Sequence, residues 1–179
     1  MRWDDHLTGV FEDLEQQAEG LALAERDAEV AELLRAEYAA VDCAARLQGS
    51  LRQSLVLRVS GVGSLQAVLS RVGAGWCLLD AGSTEWVVRL AAVASLRGLA
   101  ERAVPEQARP ILSRLGLASA LRGVAEARVE AVVHCIDGSA TRGILLRVGA
   151  DHIDLVTGEA GSGLVETVPF AALAAVRSA

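Results

Sequence analysis

Three histidines and three cysteines have the widest chemical range in this chain, and their spacing limits what they can do. His134 and Cys135 are adjacent in Val132-Val133-His134-Cys135-Ile136, whose β-branched residues predict a strand. Neighbours on a strand point to opposite faces, so the two cannot share a metal ion without a bulge. His6 lies near the N-terminus and His152 beside a turn, and no C-x-x-C or H-E-x-x-H pattern completes a zinc site. Asp151 and Asp154 stand three apart, a spacing that admits a carboxylate pair for acid–base work. Beside a turn, such residues ordinarily serve the hairpin and the solvent face. Gly61-Val62-Gly63-Ser64 and Gly161-Ser162-Gly163 lack the lysine and the following helix of a phosphate-binding loop. The expectation is a non-enzymatic protein with no catalytic, metal-binding or cofactor-binding residue.

The elements that must position these residues occur twice. Arg71-Val72-Gly73-Ala74 returns as Arg147-Val148-Gly149-Ala150, and a shift of 76 superposes their surroundings without a gap. Leu55 to Val59, a turn at Gly61 to Gly63, Ala67-Val68-Leu69 and Trp76 to Leu79 match four stretches of the second copy. These are Val132 to Ile136, Asp137-Gly138, Gly143 to Leu146 and His152 to Leu155. The closing segments, Leu90 to Val93 and Phe170 to Leu173, are offset by 80, which places four extra residues in the loop Gly158 to Gly163. Ala81-Gly82-Ser83-Thr84 reads as the turn of a hairpin between Trp76–Leu79 and Glu85–Arg89. Each copy is a small β module near the lower size limit for folding alone, so mutual packing, a helix or oligomerisation must supplement its core. With 52% hydrophobic but only 3% aromatic residues, that core must be built from Leu, Val and Ala.

The first 45 or so residues read as one helix. Leu7, Phe11, Leu14, Ala18, Leu21, Ala28, Leu34, Tyr38 and Val41 recur at helical spacing, and no proline interrupts them. Gly20 is a local weakness that permits a bend. Residues 4–42 hold twelve acids against two arginines, whereas residues 43–179 hold fourteen arginines against eleven acids. The chain has no lysine, which fits a GC-rich genome as well as it fits a need for guanidinium groups. The helix is expected to pack on the β modules or on a second copy as a coiled coil, with Leu7, Phe11, Leu14 and Leu21 at the interface. Residues 99–110, with Pro105 and Pro110, read as connector. A short amphipathic helix follows from Ile111 to about Glu126, interrupted by Gly116.

The second module resembles the Sm-like family. Val132 to Gly138, Arg142-Gly143-Ile144-Leu145 and Asp151 to Leu155 look like its first motif, and Val168 to Val176 like its second. The resemblance implies a strongly bent, five-stranded SH3-like small barrel, rings formed by edge-strand pairing, and single-stranded RNA held at a basic or aromatic pocket. Gly143 suits the bend, and Asp137-Gly138 suits a tight hairpin. The implied RNA or partner surface is Trp76, Asp151 and His152 with Arg71 and Arg147. Where these proteins carry a basic–aromatic cluster, this chain has the apolar run Val168-Pro169-Phe170-Ala171-Ala172.

The expected fold is therefore α+β. An acidic helix (1–48) precedes a first Sm-like barrel (49–98), a connector and helix (99–127) and a second barrel (128–179). The barrels are expected to pack on each other pseudo-symmetrically or to pair edge to edge, which hides their exposed strands. The expected role is assembly or protein–protein interaction, with a homo-oligomer or a protein partner. Single-stranded RNA is the alternative, and neither DNA nor a membrane is expected. No stretch approaches the roughly 20 apolar residues of a spanning helix, and Met1 to His6 lacks the basic-then-apolar pattern of a signal peptide. Three widely spaced cysteines read as reduced thiols, so a cytoplasmic location is expected.

Overall fold

The computed structural model describes residues 3–158 and 163–179, with side chains from residue 16 onward. The chain divides into two compact units, Met1–Asp42 and Cys43–Ala179.

The first unit is α1, Trp3–Ala39, which runs unbroken through Gly20. Leu21, Leu23, Val30, Leu33, Leu34 and Tyr38 are each more than half exposed. The single apolar stripe expected from spacing does not hold along a continuous helix. Leu21 and Leu34 are thirteen residues apart, so at 3.6 residues per turn they point about 140° apart. Val30, Leu34 and Tyr38 share one face, and Leu21 lies well away from it. The side chains of Leu7, Phe11 and Leu14 lie outside the described residues. No described helix is long and apolar enough to cross a membrane.

The second unit begins with α2, Cys43–Gly49, whose Leu47 is fully buried. Ten strands follow: β1 Ser54–Val59, β2 Gly63–Gly73, β3 Trp76–Asp80, β4 Glu85–Arg89, β5 Val93–Arg97, β6 Glu130–Cys135, β7 Ala140–Val148, β8 His152–Thr157, β9 Leu164–Pro169 and β10 Leu173–Ser178. The linker holds 3-10 turns at Glu106–Ala108 and Ile111–Arg114, then α3, Leu117–Ala127. Gly116 interrupts the helical pattern as expected, as the N-cap of α3. The hairpin turn at Ala81 to Thr84 is also as expected, with Gly82 at φ 81° and its N–H donating to Asp80 Oδ1.

The α+β class holds, but the strands do not form two separate closed barrels. They make one antiparallel sheet in the order β5-β1-β2-β3-β4-β10-β6-β7-β8-β9. Each module supplies five neighbours in the same internal order, and β4 of the first joins β10 of the second. The repeat extends to irregularities. Bulges at Ser70 in β2 and Leu146 in β7 are 76 apart, and those at Ala94 and Ala174 are 80 apart. Each of the first pair advances the alternation by one, so Val72 returns to the face that Leu69 occupies. The only non-glycine residues at positive φ among those described, Arg52 and Arg128, are again 76 apart, each shortly after its helix.

Two cores result, on opposite faces of the shared sheet. In the first, Leu47 packs with Leu55, Leu57, Leu69, Cys77, Leu79, Trp86 and Val88. In the second, Leu121 of α3 packs with Val133, Leu145, Ile153, Leu155, Val168 and Leu173. The seam strands serve both. β4 gives Trp86 and Val88 to the first core and Val87 to the second, while β10 gives Ala174 and Ala175 to the first and Leu173 and Val176 to the second.

Candidate assembly surfaces

The seam shows how one module recognises another. Ala175 lies opposite Val88, Val176 opposite Val87, and Arg177 opposite Trp86. The Arg177 guanidinium carbon lies 5.6 Å from the Trp86 ring centroid, a cation–π arrangement. His134 stacks on Trp86 at 5.2 Å between centroids, interplanar angle 29°. Burial of the imidazole, and next the Arg177 charge, hold the His134 pKa below its ordinary value. Arg89 Nη1 donates to the carbonyls of Ala171 and Leu173 at 3.1 and 3.4 Å, tying the end of β4 to the entry of β10.

The two outer strands have the same places in the repeat without this cover. Among the described residues β5 pairs with β1 and β9 with β8, each on one side only. Edge strands of this kind present unpaired backbone donors and acceptors. Leu164 and Val165 of β9 are 78% and 53% exposed. The counterpart of Arg89 is Pro169, which has no N–H to give and closes the edge at its far end.

The expected interaction residues lie on β2–β3 and β7–β8, and the structure treats the two copies differently. A Cβ on Gly73 would fall 2.1 Å from Trp76, and one on Gly149 2.3 Å from His152. Each ring thus folds over the glycine of its Arg-Val-Gly-Ala segment. Trp76 is 8% exposed and its indole N–H donates to the Leu115 carbonyl at 2.8 Å. It is a core residue under the linker, not a free stacking surface. Ala74 N also donates to Leu115 O, and Ala74 bridges to Gly116. Arg71 is exposed beside Trp76 in a groove of about 500 Å³ between α3 and the sheet, lined mainly by apolar groups that include Val87, Val124 and Val176.

In the second copy His152 is partly exposed, with Nδ1 2.9 Å from Asp151 Oδ1. That hydrogen bond, before the other causes, lowers the Asp151 pKa. Arg147 Nη2 lies 3.0 Å from Asp154 Oδ2, and Thr167 donates to Asp154 Oδ1 at 2.6 Å. The Thr167 bond is the largest cause of the lowered Asp154 pKa, with the Arg147 charge adding to it. Asp154 therefore holds β7, β8 and β9 together. The expected surface residues of this copy are thus already paired with carboxylates or with each other, Arg147 with Asp154 and His152 with Asp151. Cys77 is buried, which pushes its thiol up to about 12, the nearby Cys43 adding to the rise. Such a thiol stays protonated and inert at neutral pH. The described residues hold no group of three or more His, Cys, Asp and Glu side chains able to bind a metal ion.

Of the two arrangements expected for the modules, pseudo-symmetric packing or edge-to-edge pairing, the seam is the second, and a signal that favours it exists in the sequence. Trp86-Val87-Val88 and Leu173-Ala174-Ala175-Val176 are unbroken apolar runs, as strands buried on both faces require. Compared with known families and curated proteins, the chain matches no family model and no curated protein.

Proposed function

We propose that the protein is an assembly module in which copies join head to tail, the β9 edge of one pairing with the β5 edge of the next. The observation that carries this reading is the β4–β10 seam, where the same two strand positions of the repeat already join within one chain. Shifting that register by 80 on both sides sets Ser95 opposite Val168, Leu96 opposite Thr167, and Arg97 opposite Glu166. An exposed Arg97 facing an exposed Glu166 replaces the stacked Arg177–Trp86 pair with opposite charges. The two ends of the molecule differ, so this contact is heterologous and builds a closed ring or an open filament. The modules are read as Sm-like on the motifs quoted above, and that likeness supports edge pairing in the same sense. The buried indole of Trp76 leaves little for RNA to stack on.

Sedimentation analysis across concentrations tests the proposal. We expect species at multiples of 18.7 kDa. Arg97→Glu and Glu166→Arg should each weaken assembly about tenfold or more, and the two together should restore it. A monomer at every concentration, or reversals without effect, would overturn it. Addition of short single-stranded RNA at low salt is expected to leave the sedimentation profile unchanged. Salt-sensitive co-sedimentation would move the function to nucleic-acid binding.

A further inference from the structure

At the seam Trp86 has two partners, one on the strand beside it and one on the strand beyond. Arg177 of β10 lies 5.6 Å from its ring centroid, and His134 of β6 stacks on it at 5.2 Å. The repeat carries this trio to the outer edges. Trp86 stands opposite Leu79 as Glu166 stands opposite Leu155, and His134 stands opposite Ala175 as Arg58 stands opposite Ser95. Shifts of 80, 80 and 76 thus turn Trp86, Arg177 and His134 into Glu166, Arg97 and Arg58. A ring between a guanidinium and an imidazole becomes a carboxylate between two guanidinium groups. All three side chains are exposed. Among the described residues neither Arg58 nor Arg97 has a side-chain hydrogen bond or ion pair, and the Glu166 carboxylate accepts a 3.4 Å bond from Thr141 Oγ1.

The other end of the seam does not transfer. Arg89, which ties β4 to two carbonyls of the second module, becomes Pro169. Gly61, where a Cβ would fall 1.9 Å from the Cys135 carbonyl oxygen, becomes Asp137. With both ties gone there, the joint depends on the end where Glu166 stands. β9 holds no base and β5 no acid. We infer that Glu166 of one copy is clamped between Arg97 and Arg58 of the next, and that this clamp sets the direction of assembly. Two β5 edges brought together meet as like charges, and so do two β9 edges, so unlike edges are the ones that join. The inference rests on the head-to-tail reading and deepens it, because Arg58, one strand in from the edge, then selects the partner.

A double-mutant cycle in the full chain, read by sedimentation, tests it. Arg58→Gln should raise the half-assembly concentration about threefold, and Glu166→Gln, which loses two partners, about tenfold. Adding Arg58→Gln to Glu166→Gln should then change little, the signature of a direct pair. Arg114→Gln, which removes the same charge from the exposed linker turn, should leave assembly within about 1.5-fold of the starting protein. Arg58 and Glu166 are both exposed, and urea melts of the variants should match the starting protein. Assembly that ignores Arg58→Gln but fails with Arg97→Glu would overturn the clamp and leave edge pairing standing. A loss at Arg58→Gln that persists undiminished beside Glu166→Gln, or that Arg114→Gln equals, would overturn the clamp as well. A protein monomeric throughout would overturn both readings.

Discussion

β4 and β10 occupy the same places in the repeat as β9 and β5, yet their surroundings differ. At the seam, Val88, Ala174 and Ala175 are fully buried, and alternate residues fill cores on opposite sides. At the edges, Glu166 and Arg97 stand in solvent where Trp86 and Arg177 stack. The comparison teaches that the seam is closed with aromatic and aliphatic groups, while the two edges carry charge and backbone groups without a strand partner among the described residues.

The largest effect that would break this contrast comes from placing a charge in both positions. Val88→Asp buries an unpaired carboxylate between two modules and should cost about 4 kcal/mol or more, or prevent folding. Val165→Asp, on the exposed part of β9, should stay within about 0.5 kcal/mol in the same urea melts. Equal losses would mean that the edge is no more open than the seam.

A smaller effect distinguishes the two hairpin turns. Gly61 has φ 74°, and a Cβ there would fall 1.9 Å from the Cys135 carbonyl oxygen, so the first module's turn presses on the second. Gly138 has φ 91° with open space around it. Gly61→Ala should therefore cost about 2–3 kcal/mol, and Gly138→Ala about 1 kcal/mol from backbone strain alone. Thermal melts of the two variants read the difference directly.

The smallest effect sharpens the seam by pH. His134 has a folded pKa below its ordinary 6.5, so the unfolded chain takes up its proton first as pH falls. The stabilising contribution is full above about 6.5 and is lost as pH falls through the folded value. Unfolding free energy should decline from pH 7 toward pH 5. His134→Phe, which keeps a ring against Trp86, should flatten that part of the profile. An unchanged slope would assign it to other groups.

Much of the architecture was legible because the repeat is nearly gapless. The shift of 76 placed β1 to β3 against β6 to β8, and the Ala81 to Thr84 turn placed the hairpin at Gly82, while the longer loop of the second copy lies largely outside the described residues. The equivalence of Trp76 and His152 was legible too, but not their different fates, because nothing local to Trp76 announces that Leu115 will accept its N–H. Side-chain alternation shows which residues share a face. It does not show which edge a face continues onto, and so packing of two barrels and pairing of their edges both stayed open, where one sheet runs through both modules. Along α1, spacings of three and four were each helical, yet their sum carried Leu34 away from Leu21, an error that accumulates only with length.

The seam also imposes a timetable. β10 is the last of the ten strands to leave the ribosome, and until residues 173–178 emerge, β4 has no neighbour on its outer side. The nascent first module must wait with Trp86 and Val88 lacking Ala174 and Ala175, presenting an unpaired apolar strand to whatever chains are nearby. Synthesis thus passes through a stage in which β4, destined for β10 of its own chain, is open to strands of other chains. The speed with which the final strand arrives decides which it meets.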